Sequence, residues 1–271
     1  AMFAAIPFWY ASLFSGYYLL MLLILVGLII RGVSFEFRAT HPNEKHKVLW
    51  GKLCMIGSFI VPFTLGMVFT SLIQGMPLDA QGNMKAGFFD YVNLLSVVGG
   101  VAMVLLCYLH GMNYLALRTE GNLRDRAKQR AKQLYPFLYL GEIIFAILLF
   151  IFTDFVQNRP VITILLLAVM VILTACAHFA IIKEKELIAF IASGKTFVVL
   201  VILLFQGLFP RVMIAQDARF DLLLKDATSS PYTLRTMTFI TLGILPFVIG
   251  YTIWTYYVFR KRITSERIDE Y

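Results

Sequence analysis

The feature that most constrains this chain is its series of long apolar runs without charge. The first thirty residues, AMFAAIPFWYASLFSGYYLLMLLILVGLII, contain no charged side chain, and further apolar runs follow along the sequence. A helix that crosses the ~30 Å hydrocarbon layer of a membrane needs about 20 apolar residues. The 271 residues are 59% apolar, more than one soluble core of this size can bury. The sequence therefore predicts an all-α integral membrane protein, a polytopic transmembrane helix bundle.

Seven complete spans are predicted, in a single transmembrane domain over residues 1–271. They lie at about 11–30, 53–73, 92–117, 134–155, 161–182, 187–209 and 231–259. The last begins at Pro231 because Ser230 is a favourable N-cap and proline suits the first helical position. Residues 1–10 are expected to be the end of a truncated apolar helix, since that segment is apolar from its first residue.

The basic residues predict how the spans are oriented. Alternate connections, together with the C-terminal tail, contain 17 Lys and Arg, whereas the other connections contain 5. Because basic loops remain in the cytoplasm, the tail and the segment RGVSFEFR (31–38) are expected there. The net charge of +8 is thus a topology signal, and no nucleic-acid partner is predicted.

Few ionisable residues lie inside the predicted spans, and they share one half of the bilayer. They are His110, Glu142, His178 and Lys195. At ~1.5 Å of rise per residue, each lies roughly 8–12 Å from the cytoplasmic end of its span. Such residues are costly in a membrane and often belong to proton relays, so these four are candidates for a proton inlet. The alternative is that Lys195 and Glu142 reach the interface or pair together, while each histidine binds a backbone carbonyl.

The sequence gives little indication of a cofactor site. Phosphate-binding glycine loops and the H-E-x-x-H motif do not occur in the sequence. A haem needs at least one axial ligand held in a pocket, and two lone histidines on separate helices are a weak pattern for that. No metal site and no catalytic residue are predicted.

Several segments together resemble subunit II of cytochrome bd quinol oxidases. They are FAAIPFWYASLFSGYYLLMLLIL, RGVSFEFR, GSFIVPFTLGMVFTSLIQGMPL (57–78), NYLALRTEGNLRDRA (113–127), FPRVM (209–213), DATSSPYTLRTMT (226–238) and YTIWTYYVFRKRIT (251–264). The resemblance covers the chain in order and is least distinctive between about 134 and 208. Its motif positions include Arg31, Glu36, Arg38, Asp226, Ser229 and Ser230.

The resemblance implies an enzyme subunit that ligates no haem. Its partner, subunit I, would carry haem b, haem d and the quinol site, and the complex would oxidise quinol and reduce oxygen to water. Subunit II of this family is a multi-pass protein of the bacterial cell membrane with a cytoplasmic C-terminus. It can hold a structural quinone, assemble with small accessory subunits, and give oxygen or protons access to haem d.

This sequence departs from the family in one respect, and one functional residue of the family therefore cannot be assigned. The family's first helix and its W-D-G-N segment, whose aspartate lies on a proton route, have no counterpart in this sequence. The seven spans would therefore be family helices three to nine, and no proton-route aspartate is assigned.

Glu36 has two interpretations. It could pair with Arg31 or Arg38 and fix the loop against the core, or it could take part in proton uptake.

Two functions other than an oxidase subunit are compatible with the sequence. A secondary transporter would fit the buried charges and the prolines inside spans, Pro62 and Pro246, although no internal repeat is evident. A purely structural partner of a haem subunit would differ only in whether the polar residues conduct protons.

Overall fold

The computed structural model describes residues 2–40 and 43–262. In chain order the helices are α1 (Met2–Ala5), α2 (Pro7–Gly16), α3 (Tyr18–Thr40), α4 (Glu44–Gln74), α5 (Phe88–Tyr91), α6 (Leu94–Arg118), α7 (Gly121–Phe152), α8 (Phe155–Asn158), α9 (Pro160–Ile182), α10 (Glu186–Leu208), α11 (Leu224–Ala227) and α12 (Pro231–Val258). In this described part, seven helices are long and apolar enough to cross a membrane: α3, α4, α6, α7, α9, α10 and α12. The prediction of an all-α polytopic bundle is confirmed.

Three long helices extend beyond the predicted spans at the end of the bundle where the basic residues lie. Helix α3 continues to Thr40, α4 begins at Glu44, and α7 begins at Gly121, thirteen residues before the predicted start. The predicted spans stopped where charges appeared, but Lys, Arg and Glu are good helix formers, so the helices continue past the hydrocarbon layer. The side chain of Asn43 caps α4 by accepting a hydrogen bond from the Lys45 amide at 3.0 Å.

The N-terminal segment forms two short helices, where the end of one helix was expected. Pro7 occupies the first turn of α2, and α2 ends at Gly16. Tyr17, between α2 and α3, is fully buried, and its hydroxyl lies 3.0 Å from Ser71 Oγ on α4. The first long helix therefore begins at Tyr18, later than the predicted residue 11.

The long helices form a chain of neighbours. Helix α4 packs between α3 and α6, α6 also contacts α7 and α10, and α9 contacts α7 and α10. Helix α12 lies at the margin, with no buried residue. Helix α12 contacts α1. At the C-terminal end of α12, the carbonyls of Tyr256 and Phe259 accept hydrogen bonds from Arg118, the last residue of α6.

The contact between α4 and α6 depends on glycines. A Cβ atom on Gly66 would lie 2.5 Å from the carbonyl oxygen of Gly99, and one on Gly99 would overlap the side chain of Thr70. Small residues at such crossings let two membrane helices approach closely. This crossing borders the cavity that contains the candidate site.

The two long connections at the opposite end fold onto each other. Strands β1 (Arg211–Met213) and β2 (Leu222–Leu223) pair antiparallel. Met76 of the other connection donates its amide to Ile214 and accepts a hydrogen bond from the Gln216 amide, both at 2.9 Å. Arg211 forms ion pairs with Asp154 (2.8 Å) and Asp221 (3.4 Å). These contacts close that end of the bundle.

Candidate functional site

Glu142 is the most unusual side chain inside the bundle. It lies on α7 and is 6% exposed. Its Oε1 accepts a hydrogen bond from the Thr174 hydroxyl on α9 at 2.5 Å. Its Oε2 is buried and has no hydrogen-bond partner among the described residues. A carboxyl group is costly to bury in such surroundings. We therefore hypothesise that the Glu142 carboxyl group binds a water molecule or exchanges a proton.

His110 on α6 also binds a hydroxyl group. Its Nδ1 lies 2.8 Å from Ser193 Oγ on α10. Its ring stacks on Phe190, with the ring centroids 4.7 Å apart. The imidazole is therefore held in a defined orientation between the two helices.

His178 on α9 faces two tyrosines of α7. Its Nδ1 lies 3.3 Å from the Tyr139 hydroxyl, and its ring stacks on Tyr135 at 4.8 Å between centroids. The Tyr135 hydroxyl in turn accepts a hydrogen bond from Asn113 Nδ2 of α6 at 2.8 Å. These three helices are thus joined by polar side chains as well as by apolar contacts.

Two small cavities lie beside these groups. One, of about 10 Å³, is lined by Thr174, Ser193 and Tyr135, the hydroxyl partners of Glu142, His110 and Asn113. The other, of about 40 Å³, is lined by Glu142 and by the glycine crossing of α4 and α6. A cavity needs roughly 10–15 Å³ to hold a water, so the first has about the volume of one water and the second has more. Leu106 and Leu138 line both cavities, which are therefore adjacent.

Lys195 does not join this cluster. It is exposed on α10 and makes no hydrogen bond or ion pair within the described part of the chain. The next residue, Thr196, lines the small cavity, and consecutive helical residues point about 100° apart. The expected pairing of Lys195 with Glu142 is therefore not formed. The two histidines bind side-chain hydroxyls, not the backbone carbonyls of the alternative interpretation.

The surroundings of the two histidines do not fit a haem. Both rings are stacked on aromatic side chains, and the neighbouring cavities of about 10 and 40 Å³ are far below the ~300–1,000 Å³ of ordinary ligand pockets. Within the residues described, there is also no group of three or more His, Cys, Asp or Glu side chains that could hold a metal ion.

The segment RGVSFEFR forms the last turns of α3. Arg31, Glu36 and Arg38 are all exposed, and within the described ranges none of these three side chains forms an ion pair. The pairing of Glu36 with either arginine, one of its two interpretations, is not formed, because helical neighbours meet at spacings of three or four, whereas these lie five and two residues away. The expected loop is helix, so Glu36 does not fix a loop against the core.

The second motif, DATSS, ties the last helix to the first. Ser229 donates its hydroxyl to the Ala4 carbonyl at 2.6 Å and its amide to the Ala5 carbonyl at 3.0 Å. Ser230 is the N-cap of α12, and its hydroxyl accepts the Thr233 amide at 3.4 Å. Asp226 is exposed in α11, and its side chain forms no hydrogen bond or ion pair with the described residues.

The hydroxyl and amide groups around the ionisable residues were not predicted from the sequence. A signal was present, because polar residues recur at helical spacing from them. Asn113 follows His110 by three residues, Thr174 precedes His178 by four, and Tyr135 precedes Glu142 by seven. Residues at these spacings lie on one helix face.

Comparison with known proteins identifies the family. Residues 1–259 match the family model of cytochrome bd terminal oxidase subunit II. The chain is 41% identical over 267 residues to the cytochrome bd ubiquinol oxidase subunit 2 of Bacillus subtilis, covering 98% of this chain and 79% of that protein. It is 28% identical over 309 residues to the cytochrome bd-I ubiquinol oxidase subunit 2 of Escherichia coli K12, covering 99% and 80%. A probable cytochrome oxidase subunit 2 of Haemophilus influenzae is 26% identical over 305 residues, covering 100% and 80%. The chain therefore belongs to the cytochrome bd terminal oxidase subunit II family.

Proposed function

We propose that this chain is the haem-free subunit of a cytochrome bd-type terminal quinol oxidase. The observation that carries this proposal is the family match over residues 1–259. The complex oxidises quinol and passes the electrons to oxygen, which takes up protons to form water. The family does not support the alternative of a secondary transporter.

In this proposal, haem b, haem d and the quinol site belong to a partner subunit. The stacked histidines and the small cavities beside them support this division, since they offer no space for a porphyrin. When bound in the partner, the haems supply the electron transfer and the oxygen reduction. A structural quinone and small accessory subunits stay predictions from the family resemblance.

The protein is a multi-pass protein of the bacterial membrane, and we propose that its C-terminus is cytoplasmic. The excess of Lys and Arg supports this orientation, with 17 in the alternate connections and the C-terminal tail and 5 in the other connections. The proposed cytoplasmic end therefore includes the ends of α3, α6 and α12 and the beginnings of α4, α7 and α10.

We further propose that the buried polar cluster conducts protons from the cytoplasmic end. His110 would accept a proton and pass it through the Ser193 hydroxyl, and Thr174 would deliver it to Glu142. Imidazole, hydroxyl and carboxyl groups can each take one proton while releasing another. The small cavity between Ser193 and Thr174 is the feature that supports this order, because a water there would bridge the two hydroxyls. The proposed route omits Lys195, which lies outside the cluster.

The test is Glu142→Gln in the assembled enzyme. We expect oxygen consumption and proton uptake to fall together several-fold, because the amide keeps the shape of the side chain but cannot relay a proton. Haem content and spectrum should stay unchanged. Thr174→Val should act in the same direction, because it removes the hydroxyl that binds Glu142 Oε1.

A matched control is Glu120→Gln, which makes the same chemical change at an exposed residue before α7. This variant should retain the turnover of the unmodified enzyme. If Glu142→Gln also retained full turnover and proton uptake, the proton route would be refuted, whereas membership in the oxidase would stand.

A further inference from the structure

A basic pocket lies where α6 ends, α10 begins and α12 ends. Its volume is about 370 Å³. Three arginines and two tyrosines line it: Arg118, Arg260, Arg262, Tyr114 and Tyr256. Its remaining lining is apolar: Leu117, Leu187, Phe190 and Ile191. The pocket thus combines cationic groups with a hydrophobic floor.

Arg118 holds this pocket together and still has an unused donor. Two of its nitrogens donate hydrogen bonds to the carbonyls of Tyr256 and Phe259. Its Nε is buried and has no hydrogen-bond partner among the described residues. Buried N–H groups are normally satisfied, so this atom points to an acceptor outside the described residues.

The described residues neutralise the charge of the pocket only in part. Arg262 lies 3.7 Å from Glu186, and that carboxylate is already held by Arg124 through its Nε at 3.0 Å. Arg260 lies over the ring of Tyr257, with 4.1 Å between its Cζ and the ring centroid. Among the described residues, Arg262 forms an ion pair with Glu186, whereas Arg118 and Arg260 form none, so positive charge remains in excess there.

The pocket also lies at the membrane boundary. The last residue of α6 is Arg118, and α10 begins at Glu186, so the charged lining meets the headgroups while the apolar floor belongs to the membrane-spanning helices. Basic pockets between transmembrane helices bind the headgroups of anionic lipids, because guanidinium groups make paired hydrogen bonds with phosphate oxygens.

We propose that this pocket binds the phosphate of an anionic phospholipid, with phosphatidylglycerol as the probe, from the leaflet next to the basic connections. The phosphate contacts Arg118 and the guanidinium groups of Arg260 and Arg262. The first acyl carbons lie on Leu187 and Ile191. The bound lipid joins α6, α10 and α12, and α12 is the long helix with no buried residue of its own.

The experiment uses the full chain, purified in the complex it forms in native membranes and stripped of lipid with neutral detergent. Phosphatidylglycerol, phosphatidylcholine or inorganic phosphate is added, and bound lipid is counted by native mass spectrometry. Arg260→Gln and Arg262→Gln are compared with Lys261→Gln, which removes the same charge from an exposed residue that does not line the pocket. Arg118 is left intact because it also joins two helices.

We expect phosphatidylglycerol to bind the unmodified protein and Lys261→Gln equally, and to bind each arginine variant several-fold more weakly. Phosphatidylcholine should bind weakly to all four. An equal loss of phosphatidylglycerol binding in all three variants, or no loss of binding in any of them, would refute the assigned site. Displacement of phosphatidylglycerol by millimolar inorganic phosphate would overturn the lipid as the source of the phosphate.

Discussion

The glycine crossing of α4 and α6 predicts a large effect of one added methyl group. In Gly99→Ala the new Cβ would overlap the side chain of Thr70, and this helix contact also borders the Glu142 cavity. Overpacking a tight contact costs about 1–3 kcal/mol because the backbones must separate. Against this, alanine gains about 0.5–1 kcal/mol over glycine inside a helix.

Gly111→Ala on the same helix is the matched control, because no heavy atom lies within 4 Å of its added Cβ. It should gain the same ~0.5–1 kcal/mol without any overpacking cost. The propensity terms cancel in the comparison, so Gly99→Ala should be less stable than Gly111→Ala by the overpacking cost alone, about 1–3 kcal/mol.

The measurement is unfolding by SDS in mixed micelles, followed by circular dichroism and expressed as a free energy. If Gly99→Ala were as stable as Gly111→Ala, the close approach of α4 and α6 would be refuted.

Two further predictions concern the ends of the bundle. Ser229→Ala should destabilise the protein by about 0.5–1.5 kcal/mol, because the Ala4 carbonyl loses its hydrogen bond from the Ser229 hydroxyl; SDS unfolding measures the loss. The Lys128 ammonium donates a hydrogen bond to Glu184 and holds the pKa of that carboxyl below its ordinary 4.5. The stability from this pair is therefore present above pH 4.5 and is lost as the pH falls through the lowered pKa. The free energy of unfolding is measured from neutral to acidic pH, and Glu184→Gln should remove this part of its pH dependence. An unchanged decrease in stability at acidic pH would contradict the pairing.

The apolar runs were sufficient to predict the class of fold, because the bilayer requires every spanning backbone to satisfy its hydrogen bonds within a helix. The ends of the helices were harder to predict. Hydropathy marks where the hydrocarbon layer ends, whereas a helix continues as long as its residues favour it, as α3 does through Arg38 and α7 does before its apolar part.

The candidate site was predicted in part. Depth along the chain indicated that His110, Glu142 and His178 share one half of the bilayer, but depth cannot tell which way a side chain points. Lys195 lies at a similar depth and faces outward. The partners Thr174 and Ser193 are hydroxyl residues, which are common in membrane helices, and their role is visible only once α7, α9 and α10 are packed together.

The most direct test of the account is to isolate the full chain from bacterial membranes by an affinity tag and record a reduced-minus-oxidised absorption spectrum. The account predicts a larger partner that co-purifies, with haem b and haem d bands and with oxygen consumption when quinol is supplied. A colourless chain that purifies without a partner and moves a solute across vesicles unaided would contradict it.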